Sequence, residues 1–357
     1  MAKKCKNACA NPRLGTVGGQ AVLEGVMMKS KNRIALTVRK YESDELTVHA
    51  RDYVGIRQKH KWLNIPILRG AINFVEMLVM SFSTLTESTE MLGLEEEEPG
   101  KIEKKLTQWF GKSLMSILSF IAVIIGVGLA LLLFMYLPTL ITNFIQNAIG
   151  FPDAVRSIFE GFLKIGIFIL YIYLTSLLKD IKRTYQYHGA EHKSIFCYES
   201  GEELTVENVR KQRRFHPRCG TSFIFVVLII SIFVTAVFYS LVTFESTWLR
   251  VAAKVLMLPL LVGISFEFIM YAGKHDNAFT RILSAPGLWM QRITTREPDD
   301  GMIEVAIISL KTALIEEFPD FEPPFEAGYD IHGKIKDFKG EAADEDVSET
   351  VSAEEDR

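Results

Sequence analysis

The sequence predicts an α-helical integral membrane protein with about four transmembrane helices, a small N-terminal cytosolic β-hairpin region and a C-terminal cytosolic helix. Two observations lead to this fold class. Four stretches of the 357-residue chain are long, apolar and nearly free of charge, and a helix needs about 20 such residues to cross the hydrocarbon core of a bilayer. The two ends of the chain, by contrast, have the mixed composition of soluble protein.

The N-terminal region, residues 1–64, contains the pattern of a β-hairpin. Ile34, Leu36 and Val38 alternate with polar residues, and a second alternation begins at Leu46 after an Asp-containing turn. The string GGQAVLEGVMM precedes this hairpin. Its glycines permit close backbone approach, so Glu24 is a candidate to reach a metal or a substrate. A plain turn is the alternative interpretation of the string.

Residues 65–113 predict an interfacial helix followed by an acidic linker. The stretch from Ile65 to Leu85 is apolar except for Arg69, Asn73 and Glu76, whose spacing places them on one helix face. We expect this helix to lie at the membrane interface, and a fifth span is the alternative. The linker contains the acidic run Glu95–Glu98.

Residues 114–273 contain the four predicted spans. They run from Leu114 to Leu137, from Phe162 to Leu178, from Cys219 to Phe244 and from Val255 to Gly273. Glu267 interrupts the fourth span, and an ionisable group is costly in hydrocarbon. We therefore expect Glu267 to pair with a cation, a metal or a proton-donating partner.

Lysine and arginine are distributed unevenly among the connections between the spans. The motif-bearing connection, residues 179–221, holds nine of them, whereas the other two connections together hold only Arg156, Arg250 and Lys254. Cytoplasmic loops carry an excess of these residues. The sequence therefore predicts a multi-pass protein of the cytoplasmic membrane, with this loop, the N-terminus and the C-terminus in the cytoplasm.

The C-terminal part divides into residues 274–335 and residues 336–357. In the first, Asp299 and Asp300 can cap an amphipathic helix from Met302 to Glu316, which should dock on another part of the protein. The second is acidic and, from Lys339 onward, lacks aromatic residues, so we expect it to be disordered.

The most specific local signal is His188-Gly-Ala-Glu191-His192, which fits the H-x-x-E-H pattern of inverted zinc-hydrolase motifs. Residues four apart share a helix face, so the two imidazoles can hold one divalent metal, for which zinc is the expected identity. Glu191 then lies beside the metal and is the candidate catalytic base. The alternative is a pair of inert histidines near the lipid headgroups.

Further candidate ligands lie at the same predicted membrane face. His216 and Cys219 stand where the motif loop enters the third span, and His275 and Asp276 follow the fourth span. Three protein ligands and an open position characterise catalytic zinc, whereas four ligands characterise structural zinc. The pattern leaves both open, and Cys219 could equally be a small buried residue at a helix entrance.

Four strings of the chain carry a resemblance to a known family. They are GGQAVLEGVMM, YHGAEHKSIFCYESGEELTVENV, RFHPRCGTSF and PGLWMQRITTREPDDGMIEVAI, in this order. Together they resemble the YqhQ-like family of bacterial membrane proteins, over nearly the whole chain. That family has no known function and is described as metal-dependent enzymes. The resemblance implies that the family's motif positions here are His188, Glu191, His192, His216, Cys219 and His275.

We expect a membrane-embedded metal-dependent enzyme, a hydrolase that acts at the cytoplasmic membrane face on a lipid or peptide presented there. A non-catalytic scaffold that binds protein partners is the first alternative. A small transporter with Glu267 on a proton path is the second. A net charge of -3 offers no basic surface for phosphate groups, so no nucleic-acid partner is expected.

Overall fold

We describe the protein from a computed structural model, which describes residues 12–40, 44–92, 114–150, 152–242, 244, 246–272, 277–323, 327–329 and 335–337. The described chain is mostly helical and divides into two compact units. The first, here the sheet unit, contains the residues up to Val54, Tyr187–Gln212 and the residues from Pro298 onward. The second, the helical unit, contains Gly55–Gln186 and Arg213–Glu297.

The sheet unit is built on four antiparallel strands in sequential order: β1 (Gly18–Val22), β2 (Gly25–Lys29), β3 (Arg33–Arg39) and β4 (Leu46–Asp52). The predicted hairpin is confirmed as β3 and β4, in which Leu36 lies opposite His49. The GGQAVLEGVMM string is a second hairpin, β1 and β2, and only Leu23 and Glu24 form its turn. The interpretation of the whole string as a plain turn is therefore wrong. Its Val, Met and Ala residues pair as strands, and β2 is buried.

A C-terminal helix covers this sheet. The predicted amphipathic helix is observed as Asp300–Ala313, and the carboxylate of Asp299 caps it by accepting the N–H of Met302 at 2.8 Å. The predicted apolar face is buried in the core of the sheet unit: Ile303, Ala306, Ile307, Leu310 and Leu314. The hydroxyl of Ser309 lies 2.9 Å from the carbonyl oxygens of Val26 and Ala35. The expectation that this helix docks on another part of the protein is confirmed.

The connection that carries the histidine motif is helical. Lys179–Ser200 forms one helix, and the residues from Tyr187 onward belong to the sheet unit. A short helix, Val206–Lys211, follows, with the hydroxyl of Thr205 as its cap. Tyr187, Ala190 and Tyr198 pack in the same core as the strands and the C-terminal helix. Segments that are remote in the chain therefore share one core.

The two short strands Ala327–Tyr329 and Ile335–Asp337 pair antiparallel. The prediction that residues 336–357 are disordered is wrong for Lys336 and Asp337, which belong to the second strand, and the rest of this tail lies outside the described residues.

The longer helices of the helical unit are numbered in chain order. They are α1 (Leu68–Met91), α2 (Leu114–Leu131), α3 (Leu137–Ile149), α4 (Asp153–Thr175), α5 (Gly220–Leu241), α6 (Thr247–Ala272) and α7 (Ala278–Thr294). The short helical turns Ile56–Lys59 and Lys61–Asn64 precede α1. A π-helical turn, Leu132–Tyr136, joins α2 to α3. It precedes Pro138, which has no N–H to donate to the preceding turn.

Four helices of the described chain are long and apolar enough to cross a membrane: Ile121–Ile149, Val155–Thr175, Gly220–Leu241 and Thr247–Ala272. The number and approximate position of the predicted spans are thus confirmed as helices. The first continues to Ile149 rather than ending at Leu137, and the second and fourth begin earlier than expected. Arg250, which the charge pattern assigned to a connection, lies inside α6 and is only 2% exposed. That assignment was wrong because buried polar partners accommodate its charge within the bundle.

Those partners form a polar cluster inside the helical unit. Glu160 on α4 accepts hydrogen bonds from Lys254 on α6 and, at 2.9 Å, from the hydroxyl of Thr139 on α3. Arg250 donates to Ser157 at 3.1 Å. Glu160 and Lys254 are each at most 4% exposed, so this ion pair is buried among the helices.

Candidate metal site

The two motif histidines face each other on adjacent turns of the Lys179–Ser200 helix. The ring centroids of His188 and His192 are 4.3 Å apart, with the ring planes at 62°. One potential ligand nitrogen of each ring lies within 4.8 Å of the other. His192 is 1% exposed, and His188 is partly buried. The i, i+4 spacing therefore produces the shared face that the sequence predicted.

Glu191 is on the neighbouring face of this helix. Tyr187 and Glu191 are four residues apart, like the two histidines, and their face lies about 100° around the helix from the histidine face. Glu191 is 4% exposed, and strand β1 covers it at Gly19. A Cβ atom at Gly19 would lie 2.8 Å from Cγ of Glu191. A side chain at this position would therefore displace the side chain of Glu191.

Glu24 meets the same helix face from the turn of the hairpin. Its Oε2 accepts the hydroxyl of Tyr187 at 3.3 Å, and Tyr187 is 1% exposed. Glu24 has φ of 48°, in the left-handed region that glycine and asparagine adopt more readily. The structure thus brings together His188, Glu191, His192 and the hairpin that carries Glu24.

This group of residues fits a divalent metal ion in its donor types. Two nitrogens bound to one zinc ion at about 2.1 Å can be at most about 4.2 Å apart. A separation within 4.8 Å is close to that limit and needs only a small side-chain rotation to meet it. Imidazole nitrogen and carboxylate oxygen are both common ligands of zinc and neighbouring metals.

His216, Cys219 and Glu267 belong to the helical unit. The side chain of Gln291 makes two hydrogen bonds to the backbone of His216, both at 2.7 Å. Its Oε1 accepts the His216 N–H, and its Nε2 donates to the His216 carbonyl oxygen. Nδ1 of His216 accepts the N–H of Arg218 at 3.3 Å. Gln291 thereby fixes the main chain that enters α5.

Cys219 immediately precedes the first turn of α5, and its Sγ lies 3.2 Å from the hydroxyl of Thr221. Glu267 pairs with Arg69, which confirms the expectation that it finds a cation. His275 and Asp276 lie outside the described residues. The convergence of four histidines therefore stays a prediction.

The sequence reasoning missed three residues that shape these surroundings: Gly19, Tyr187 and Gln291. Tyr187 could have been found, because it stands four residues before Glu191 and so shares its helix face. Gly19 carried only the general signal of a glycine pair. Gln291 carried no sequence signal, because a side-chain amide that binds a backbone distant in the chain produces no pattern in the neighbouring residues.

Comparisons with known proteins agree with the resemblance of the motifs. A family model described as "Protein of unknown function (DUF1385)" matches residues 65–316. The chain is also 36% identical over 303 residues to the "Uncharacterized protein YqhQ" of Bacillus subtilis (strain 168), which covers 83% of this chain and 92% of that protein. No solved structure matches the chain.

Proposed function

The chain belongs to the DUF1385 family, which has no known function, and we propose that it is a multi-pass membrane metalloenzyme with a divalent-metal site at His188 and His192. The observation that carries the proposal is the pair of neighbouring imidazoles, one of them buried, on the same helix as the buried side chain of Glu191. The reaction that this group suits best is hydrolysis, with zinc as the expected metal.

The four candidate spans support a location in the membrane. In the most apolar stretch of each helix, only 11–33% of the residues are buried by other parts of the chain. Leu170, Phe233 and Leu256, for example, are 56%, 65% and 83% exposed. Contiguous apolar surface of this extent would be unfavourable in water, whereas hydrocarbon accommodates it. The bilayer is therefore the partner that we propose for these helices.

The shared core of the sheet unit supports the proposed topology. Its three segments must lie on one side of a bilayer because they pack together. Each intervening segment, 55–186 and 213–297, contains two candidate spans, and an even number of crossings returns the chain to the same side. If helix α1 also crossed the bilayer, the segment 55–186 would contain an odd number of spans. We therefore propose that α1 stays at the interface. The positive-inside bias assigns that side to the cytoplasm.

The residues of the site would divide the chemistry as follows. His188 and His192 would bind the ion through their imidazole nitrogens, which must be unprotonated. A divalent metal supplies Lewis acidity and activates water for hydrolysis. Glu191, whose side chain is buried under β1 and which directly precedes His192 in the chain, would accept and return a proton. A lipid or peptide presented at the cytoplasmic face is the substrate class that suits this location.

Metal analysis of the purified full chain in detergent tests the metal site. We expect about one divalent ion per chain in the wild type and loss of that ion in His188→Ala and in His192→Ala. His60→Ala is the matched control, because His60 is exposed and lies outside the sheet unit. Unchanged metal content in both motif variants would remove the proposed site.

The role of Glu191 separates an enzyme from a scaffold. Glu191→Gln keeps the size of the side chain and removes its basicity, so it should retain metal but fail to replace the wild type in a strain that lacks the gene. Full complementation by Glu191→Gln would instead favour a non-catalytic scaffold that binds protein partners.

A further inference from the structure

The β1–β2 hairpin contacts the Lys179–Ser200 helix at two points of one face. Gly19 near one end of the hairpin lies against Glu191, and Glu24 at the turn accepts the hydroxyl of Tyr187. These two helix residues are one turn apart. Contacts at both ends of that turn fix the rotation of the helix about its axis, and hence the direction in which the histidine face points.

The backbone of Glu24 gives a second, independent observation. The turn between β1 and β2 has two central residues, and Glu24 is the one with positive φ. Glycine or asparagine would adopt this conformation more readily. A residue in a disfavoured backbone conformation persists where the surrounding structure determines it. Here the Glu24 side chain contacts the buried hydroxyl of Tyr187.

We propose that the β1–β2 hairpin positions the metal-binding turn of the helix, with Glu24 as a positioning residue that acts through Tyr187 and Gly19 as the point of close contact with Glu191. This inference rests on the proposed metal site and assigns it a second element. Residues that orient metal ligands without touching the metal typically change metal affinity 10–100-fold when they are replaced.

Cobalt(II) binding to the full chain in detergent is the test, since its visible absorption reports ligand geometry. Tyr187→Phe and Glu24→Asn both remove the contact, and each should weaken Co²⁺ binding about tenfold and alter the spectrum. Glu24→Asn should leave the melting temperature unchanged or higher, because asparagine tolerates the left-handed conformation. Glu24→Gln keeps an acceptor oxygen and should restore wild-type affinity. Unchanged affinity in Glu24→Asn, or equal loss in Glu24→Gln, would overturn the role of Glu24.

Glycine substitutions test the other end of the hairpin. Gly19→Ala places a methyl group against Glu191 and should change the Co²⁺ spectrum of the folded protein. Gly18→Ala is the matched control, because a Cβ there meets nothing within 4 Å. A lower melting temperature in Gly19→Ala with an unchanged spectrum and affinity would show that the hairpin only contributes stability, and would overturn the proposal.

Failure of the metal site itself would look different. A wild-type chain without a Co²⁺ signal that depends on His188 and His192 would overturn the proposed function and this inference together. A wild-type signal lost in His188→Ala but unaffected by every hairpin variant would overturn the inference alone.

Discussion

Arg69 and Glu267 lie 198 residues apart and form a bidentate ion pair in the helical unit. Nε of Arg69 donates to Oε1 of Glu267 at 2.7 Å, and a second guanidinium nitrogen donates to Oε2. The N–H of Ile67 also donates to Oε1, at 3.2 Å. The carboxylate that interrupts the fourth candidate span thus fastens the start of α1 to α6. With this function, Glu267 is a weaker candidate for a proton path.

We expect this pair to couple energetically. Arg69→Met, Glu267→Gln and the double variant form a double-mutant cycle, measured by thermal or denaturant unfolding in detergent. Both side chains are about 30% exposed in the chain itself, so solvent screens the pair, and we expect a favourable coupling that arises from the bidentate geometry. Additive effects of the two substitutions would show that the ion pair contributes nothing to the α1–α6 contact.

The buried pair of Glu160 and Lys254 should be more sensitive to loss of one partner. Lys254→Met leaves the carboxylate of Glu160 without its main cation, and removal of one partner of a buried pair costs about 3–5 kcal/mol. The double variant Glu160→Leu with Lys254→Met removes both charges and should regain much of that stability. Unfolding in detergent measures both. A double variant less stable than Lys254→Met would contradict this view of the cluster.

Two glycines on α4 give a matched pair for helix packing. A Cβ at Gly161 would lie 2.3 Å from Cγ1 of Ile232 on α5, whereas a Cβ at Gly166 meets nothing within 4 Å. Gly161→Ala should therefore destabilise the bundle by about 1–3 kcal/mol through overpacking. Gly166→Ala should be neutral or stabilising by up to about 1 kcal/mol, because alanine favours the helix. Melting temperatures in the same detergent compare them, and equal values would contradict the observed contact.

The thiol of Cys197 should make the stability of the sheet unit decrease at high pH. Burial, with a smaller effect of the charge of Glu202, raises the pKa of this thiol to about 11. A raised pKa means that the folded protein favours the protonated thiol. Its contribution to stability is therefore complete below the ordinary thiol pKa and is lost as the pH rises through about 11.

Iodoacetamide labelling measures this effect in a variant in which Cys197 is the only cysteine. Labelling should be slow at neutral pH and accelerate toward pH 11. Cys197→Ala should lack the corresponding decrease in stability between about pH 9 and 11. Labelling of the folded chain at pH 7 as fast as that of the unfolded chain would show that the thiol is not buried.

Much of the fold could be predicted because its signals are local. Four apolar stretches predicted four long helices, and the alternation of apolar and polar residues predicted β3 and β4. The acidic cap at Asp299 predicted the helix that follows it. The spacing of His188 and His192 likewise determined that they share a helix face. The helix limits were less accurate, because Glu160, Arg250 and Lys254 have charges that only their burial against one another makes acceptable within the bundle.

The sequence by itself determined the kinds of element and the residues of the candidate site, since periodicity and short spacing act within a single helix or strand. Only the tertiary structure decided what lies against them: that GGQAVLEGVMM is a hairpin, that Gly19 and Glu24 contact Glu191 and Tyr187, and that the sheet unit draws its core from three distant segments. The physical reason is that burial of apolar surface and pairing of polar groups depend on neighbours in space. Those neighbours have no fixed separation along the chain.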